Sequence, residues 1–134
     1  MSDDATLEML IKTTATQSAH TRIAAGCGGD AQFEIFEGTT VSDDGTPIDV
    51  WNRNRFSSNT AQTTTFSSPT ISDSGTSVHY SFIFGGSGGK AAGGTGSGFD
   101  EWILKTDEIY LVRLTNKSGQ THPASIELNF YEPV

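Results

Sequence analysis

Cys27 and His20 are the side chains whose types come nearest to a nucleophile and its base, a thiol with an imidazole to take its proton. No nearby residue supplies the third group that would orient them, so the cysteine reads as a small buried hydrophobe. It is the chain's only cysteine, which excludes an internal disulfide and a cysteine-based zinc site. His79 and His122 share no metal-ligand spacing with each other or with His20. Gly89-Lys90 lies among glycines as a phosphate-binding loop would. That pattern, however, needs a glycine where Phe84 stands and a serine or threonine where Ala91 stands. The carboxylate pairs Asp3-Asp4, Asp43-Asp44 and Asp107-Glu108 have the types to hold calcium or to act as acid and base. Neighbours on a strand point to opposite faces and those in turns point to solvent, so these pairs read as turn and solubility residues. The expectation is a chain that is not an enzyme, with no catalytic group, no metal and no cofactor.

Trp51-Asn52-Arg53-Asn54-Arg55 offers binding chemistry instead. An extended strand here sets Trp51, Arg53 and Arg55 on one face at intervals of about 6.6–7 Å, with Asn52 and Asn54 on the other. Two of the eight basic residues then stand beside an indole in an acidic chain. Either each guanidinium pairs internally with a carboxylate such as Glu37 or Glu132 and fixes the sheet register, or the row is an interface ladder of the residue types that dominate binding hot spots. With Lys90 and Trp102, these five residues are the interface candidates.

The elements that must carry them read as strands. Good helix formers are scarce, while Thr, Ser, Gly and Asn are spread throughout. Short runs of β-branched and aromatic residues between turn residues predict strands over 7–12, 19–24, 32–37, 47–54, 62–66, 78–84, 102–105, 109–115 and 125–131. Asp43-Asp44-Gly45, Asp73-Ser74-Gly75 and Asn116-Lys117-Ser118-Gly119 supply the turns. The runs 102–105 and 109–115 are nearly continuously apolar, as central strands covered on both sides would be. Eight or nine short strands predict an all-β fold, a two-sheet antiparallel sandwich that is jelly-roll-like, with a closed barrel as its rival. Residues 85–98 break the rhythm with eight of the fifteen glycines. As a free coil this flexible segment spans about 20 Å end to end. It is either a tolerated loop or a segment that orders when the domain meets its neighbour.

The 134 residues suit one domain over 1–134. With glycine counted and tyrosine left out, the apolar fraction is about 43%, slightly below the roughly 45–50% of globular chains. Part of the stability is therefore expected from self-association or from docking on a partner. Sixteen acidic against eight basic residues give a net charge of −8. That field repels phosphate backbones and anionic headgroups, so neither nucleic acid nor membrane is expected as a partner. No apolar run approaches the about 18 residues of a membrane-spanning helix. The opening MSDDATLEML places two aspartates where a secretory signal carries basic residues, and synthesis in the cytoplasm is expected.

Several pieces recur in an order that resembles a family of short virion proteins of tailed bacteriophages. They are Ile35-Phe36-Glu37-Gly38, Asp44-Gly45-Thr46, Asn52-Arg53-Asn54-Arg55 and Ser57-Ser58-Asn59-Thr60. The glycine-rich segment follows, then Glu101-Trp102-Ile103-Leu104-Lys105, Tyr110-Leu111-Val112-Arg113-Leu114-Thr115-Asn116 and Phe130-Tyr131-Glu132. Together they cover residues 33–132, and their order and spacing carry the likeness. The resemblance implies a capsid cement (decoration) protein with a jelly-roll fold, a homotrimer bound to the major capsid protein on the exterior of the virion. A tail- or fibre-associated module that binds a receptor or glycan is the alternative within the same particle. The resemblance brings no catalytic residues with it.

Overall fold

The computed structural model describes residues 1–85, 93–94 and 101–133. The strands are β1 (Thr6–Lys12), β2 (Ala19–Cys27), β3 (Ala31–Glu37), β4 (Thr40–Asp43), β5 (Thr46–Ile48) and β6 (Thr64–Ser67). They continue as β7 (Thr70–Asp73), β8 (Thr76–Ile83), β9 (Gly93–Gly94), β10 (Trp102–Leu104), β11 (Ile109–Asn116) and β12 (Ala124–Tyr131). The fold is an all-β, antiparallel sandwich. One sheet has the order β5-β6-β1-β11-β3-β8, the other β10-β2-β12 with β9 also on β2, and β4 and β7 form a separate ribbon.

Alternation builds the core. Along β2, Ala19, Thr21, Ile23, Ala25 and Cys27 are buried and the residues between them face outward. They meet Ile11, Phe33, Ile35, Val112 and Leu114 from the larger sheet, and Ile126, Leu128 and Phe130 of β12 close one side. β11 is central and buried on both faces, as its continuous apolar run predicts. Its Leu111 lies in register with Leu10 on one side and Phe36 on the other, and all three are buried. The same outer face carries Arg113, whose guanidinium bonds Glu8 at 2.8 Å and the Ser74 hydroxyl at 3.1 Å. Those bonds tie the β7–β8 turn down beside this second apolar cluster.

A repeat that neighbouring motifs obscure explains the ribbon. Thr40-Val41-Ser42-Asp43-Asp44-Gly45-Thr46 returns thirty positions later as Thr70-Ile71-Ser72-Asp73-Ser74-Gly75-Thr76, with Phe36 and Phe66 ahead of each copy. The copies interlock: β4 pairs with β7, β3 of the first with β8 of the second, and β6 of the second with β5 of the first. Each turn is built alike. Asp43 accepts the Gly45 N–H at 2.8 Å and Asp73 the Gly75 N–H at 2.9 Å, with φ of 97° and 90° at the two glycines. Gly38 and Ser68, thirty positions apart, also share positive φ, 72° and 52°.

Three strand expectations need correction. β4, β7 and β9 are too short and polar, or too glycine-rich, to register as runs. The strand expected over 47–54 stops at Ile48, because the asparagines beyond it bend the chain. The Asn52 side chain accepts the Asn54 N–H at 2.9 Å and the Asn54 side chain accepts the Phe56 N–H at 3.2 Å, two successive Asx turns. β10 lies at a sheet edge with Ile103 64% exposed, so it is not a central strand.

A polar knot joins the sheets at the β10–β11 turn. The Tyr110 hydroxyl donates to Glu37 at 3.0 Å and accepts the Lys105 N–H at 3.0 Å, while the Lys105 ammonium bonds Glu37 at 2.7 Å. The ammonium holds the Glu37 carboxyl below its ordinary range, and Glu37 in turn raises Lys105. Burial, reinforced by Glu37, pushes the Tyr110 phenol up to about 12. A phenol raised in the folded state stabilises fully below its unfolded value near 10 and loses that contribution as pH climbs towards 12. Thermal melts should therefore fall steeply between about pH 10 and 12. Tyr110→Phe should flatten that decline while lowering neutral-pH stability by about 1–2 kcal/mol. Parallel declines in both proteins would remove Tyr110 from the account.

Candidate functional site

Residues 49–63 leave the sandwich between β5 and β6 as an arm whose local chemistry holds it folded on itself. Besides the two Asx turns, Ser57 N–H bonds Asn54 O at 3.0 Å, Asn59 N–H bonds the Ser57 hydroxyl at 3.1 Å, and the Asn52 amide reaches Asn59 O at 3.2 Å. Its return is pinned from the far sheet. Glu132 accepts the Gln62 N–H at 2.9 Å and both the Thr63 N–H and hydroxyl at 2.8 Å. Thr63 is buried, so its two bonds to Glu132 have no ready replacement from water. Glu132→Ala should cost about 1–3 kcal/mol and speed amide exchange along 49–63 while β11 keeps its protection. Unchanged exchange in the arm would show that it is held by other means.

The arm sets exposed aromatic rings beside unpaired cations. Trp51 is 69% exposed and Phe56 is fully exposed. The Arg55 guanidinium lies 5.2 Å from the Trp51 ring centroid and touches Asn52 O at 3.5 Å. Elsewhere Lys12, Arg113, Lys105 and Lys117 are paired with Asp44, Glu8, Glu37 and Asp4. Among the described residues Arg53, Arg55 and Arg22 have no carboxylate partner, and two of these three cations sit on the arm. The internal pairing with Glu37 or Glu132 is thereby corrected: Glu37 serves Lys105 and Tyr110, and Glu132 serves the backbone of the arm. The common strand face for Trp51, Arg53 and Arg55 is also lost with the strand, although turn geometry still stacks Arg55 on Trp51.

Under the arm a groove of about 1260 Å³ follows the edge of β12. Met9, Ile48, Ile126, Leu128 and Phe130 supply its apolar wall, and Arg22, Arg53, Glu101, Glu127 and Tyr131 its polar rim. It exists because the six-stranded sheet is wider than the sheet it packs on. His20 stacks on Tyr131 at 4.8 Å and approaches Glu101 at 3.8 Å, and the Glu101 carboxylate raises the Tyr131 phenol.

The remaining sequence candidates disperse. Trp102 is half-buried and continues an inward chain of edge-to-face rings, Phe33–His79 at 5.4 Å and His79–Trp102 at 5.6 Å, so it serves packing. Lys90 and all of 85–98 except Gly85, Gly93 and Gly94 lie outside the described residues. Cys27 is buried at the opposite end of β2 from His20 and faces the core. Asp3 and Asp4 bind the Gly119 N–H and Lys117, and Asp43 and Asp44 bind the Gly45 N–H and Lys12, which are turn and surface roles. Among the described residues no group of three or more His, Cys, Asp and Glu is placed to hold a metal ion. Phe56 is the functional candidate that the sequence reading missed. Its signal was an aromatic beyond two Asx-forming asparagines, where a strand can no longer bury it.

No known protein family, curated protein or solved structure matches the chain.

Proposed function

We propose that this chain is a capsid cement protein of a tailed bacteriophage, attached by its 49–63 arm to the outer surface of the major capsid protein lattice. The carrying observation is the arm itself: Trp51 and Phe56 exposed beside Arg53 and Arg55, cations that no carboxylate of the described residues neutralises. Aromatic and arginine side chains dominate binding hot spots, and a pre-folded arm loses little entropy on docking. The −8 charge suits the outside of a shell better than a DNA-facing interior. Repetition over a lattice multiplies modest single contacts into firm attachment. The sequence resemblance and a finer, jelly-roll-like topology belong to the same proposal. Purified chain should bind expanded, undecorated heads and raise their tolerance of heat.

One observation favours a second reading, a tail- or fibre-associated module that binds a receptor or glycan. Tyr80 and Phe84 are exposed beside the glycine-rich segment, where aromatic rings can stack on sugars. Binding to host cells or their polysaccharide, without binding to heads, would select it.

A further inference from the structure

β8 is the outermost strand of the six-stranded sheet, and among the described residues its sole strand partner is β3. Its alternation sends His79, Ser81 and Ile83 inward, and Val78, Tyr80 and Phe82 outward, with Phe84 just beyond. Val78 is 39%, Tyr80 57% and Phe84 80% exposed, and the Phe82 and Phe84 rings lie 4.9 Å apart. From Thr76 to Gly85 there is no charged residue and no proline. Those are two of the usual devices that keep an edge strand from pairing; a third, a β-bulge, is confined to Val78 near the start of the strand, where the register with β3 shifts.

The repeat supplies its own control at the other end of the sheet. β5 is the counterpart of β8, and Pro47 stands where β8 has Ser77. Pro47 lies in register with Phe66, as Ser77 does with Phe36. A proline offers no N–H to an incoming strand. β5 also ends at Ile48, one residue before a charge at Asp49. From one repeated unit, and among the described residues, the sheet has a blocked edge and an open one.

We propose that the open edge of β8 pairs antiparallel with β8 of a second copy, joining two six-stranded sheets across a two-fold axis. Charge selects the occupant. Copies bearing −8 each repel over most of their surface, and β8, an eight-residue strand without a charged residue, lets two copies approach without that cost. A two-fold contact sets the stripe of Val78, Tyr80 and Phe82 against itself, where apolar and aromatic cross-strand pairs stabilise. Such pairing builds dimers or other even assemblies in place of the trimer implied by the resemblance. It is independent of which surface the arm engages.

Sedimentation velocity of the whole chain over a dilution series tests it. The parent should dissociate from dimer to monomer on dilution. Ser77→Pro, which copies the block found in β5, and Tyr80→Lys, at an exposed outward position, should each weaken the dimer by at least about 100-fold with unchanged circular dichroism. If Ser77→Pro unfolds, Tyr80→Lys decides alone. A parent that is monomeric at every concentration, an assembly indifferent to Tyr80→Lys, or a trimer would overturn the pairing. Binding of heads by an obligate monomer would do so while leaving the cement reading intact.

Discussion

Arg53→Ala with Arg55→Ala should melt with the parent protein and bind undecorated heads at least about 100-fold more weakly. The two halves of that result have separate physical causes. Neither guanidinium meets a carboxylate among the described residues, so their removal strands no buried charge. The internal losses are one exposed cation–ring contact on Trp51, worth about 0.5–1 kcal/mol, and a long, exposed 3.5 Å bond from Arg55 to Asn52 O. At a desolvated interface each hot-spot side chain is worth about 2 kcal/mol or more, and lattice repetition compounds the loss. Trp51→Ala and Phe56→Ala should act in the same direction. A double arginine variant that misfolds would return these cations to the interior, and one that binds heads like the parent would take attachment away from the arm.

Gly45→Ala and Gly75→Ala should each cost about 2–4 kcal/mol, equal to within about 1 kcal/mol, as read by denaturant unfolding. Both glycines have positive φ, and a Cβ at either would collide with backbone of the other repeat: Ser67 O and Ser68 for Gly45, Glu37 O and Gly38 for Gly75. Gly38→Ala is the control. Its φ is also positive, but nothing lies within 4 Å of the added carbon, so about 1 kcal/mol is expected. Ser68 already occupies that conformation in the second repeat. Strongly unequal costs at Gly45 and Gly75 would dissolve the equivalence of the two turns.

The sandwich was legible where burial imposes a strict period. β2, β3, β11 and β12 each write their inner face into alternate or continuous apolar residues, and the Asp-x-Gly turns announce their positive φ. The arm was not legible in the same way. Val50 and Trp51 look like strand residues, and the two asparagines that end the strand act through side-chain bonds to N–H groups two positions on. β4 and β7 are four-residue, largely polar strands whose pairing is visible in sequence only as a thirty-residue repeat. What makes the arm a candidate site is that no carboxylate among the described residues pairs with Arg53 or Arg55. That property depends on where Glu37 and Glu132 are spent, and tertiary structure alone reports it. Trp102 misled for the converse reason: an aromatic on an edge strand can still turn inward, and the His79 ring receives it.

Electron cryo-microscopy of particles assembled with and without this chain is the most direct measurement. Cement attachment predicts added density on the outer face of the shell, its contact with the major capsid protein made by residues 49–63. Shells that superimpose in the two preparations, or added density confined to the tail, would contradict it.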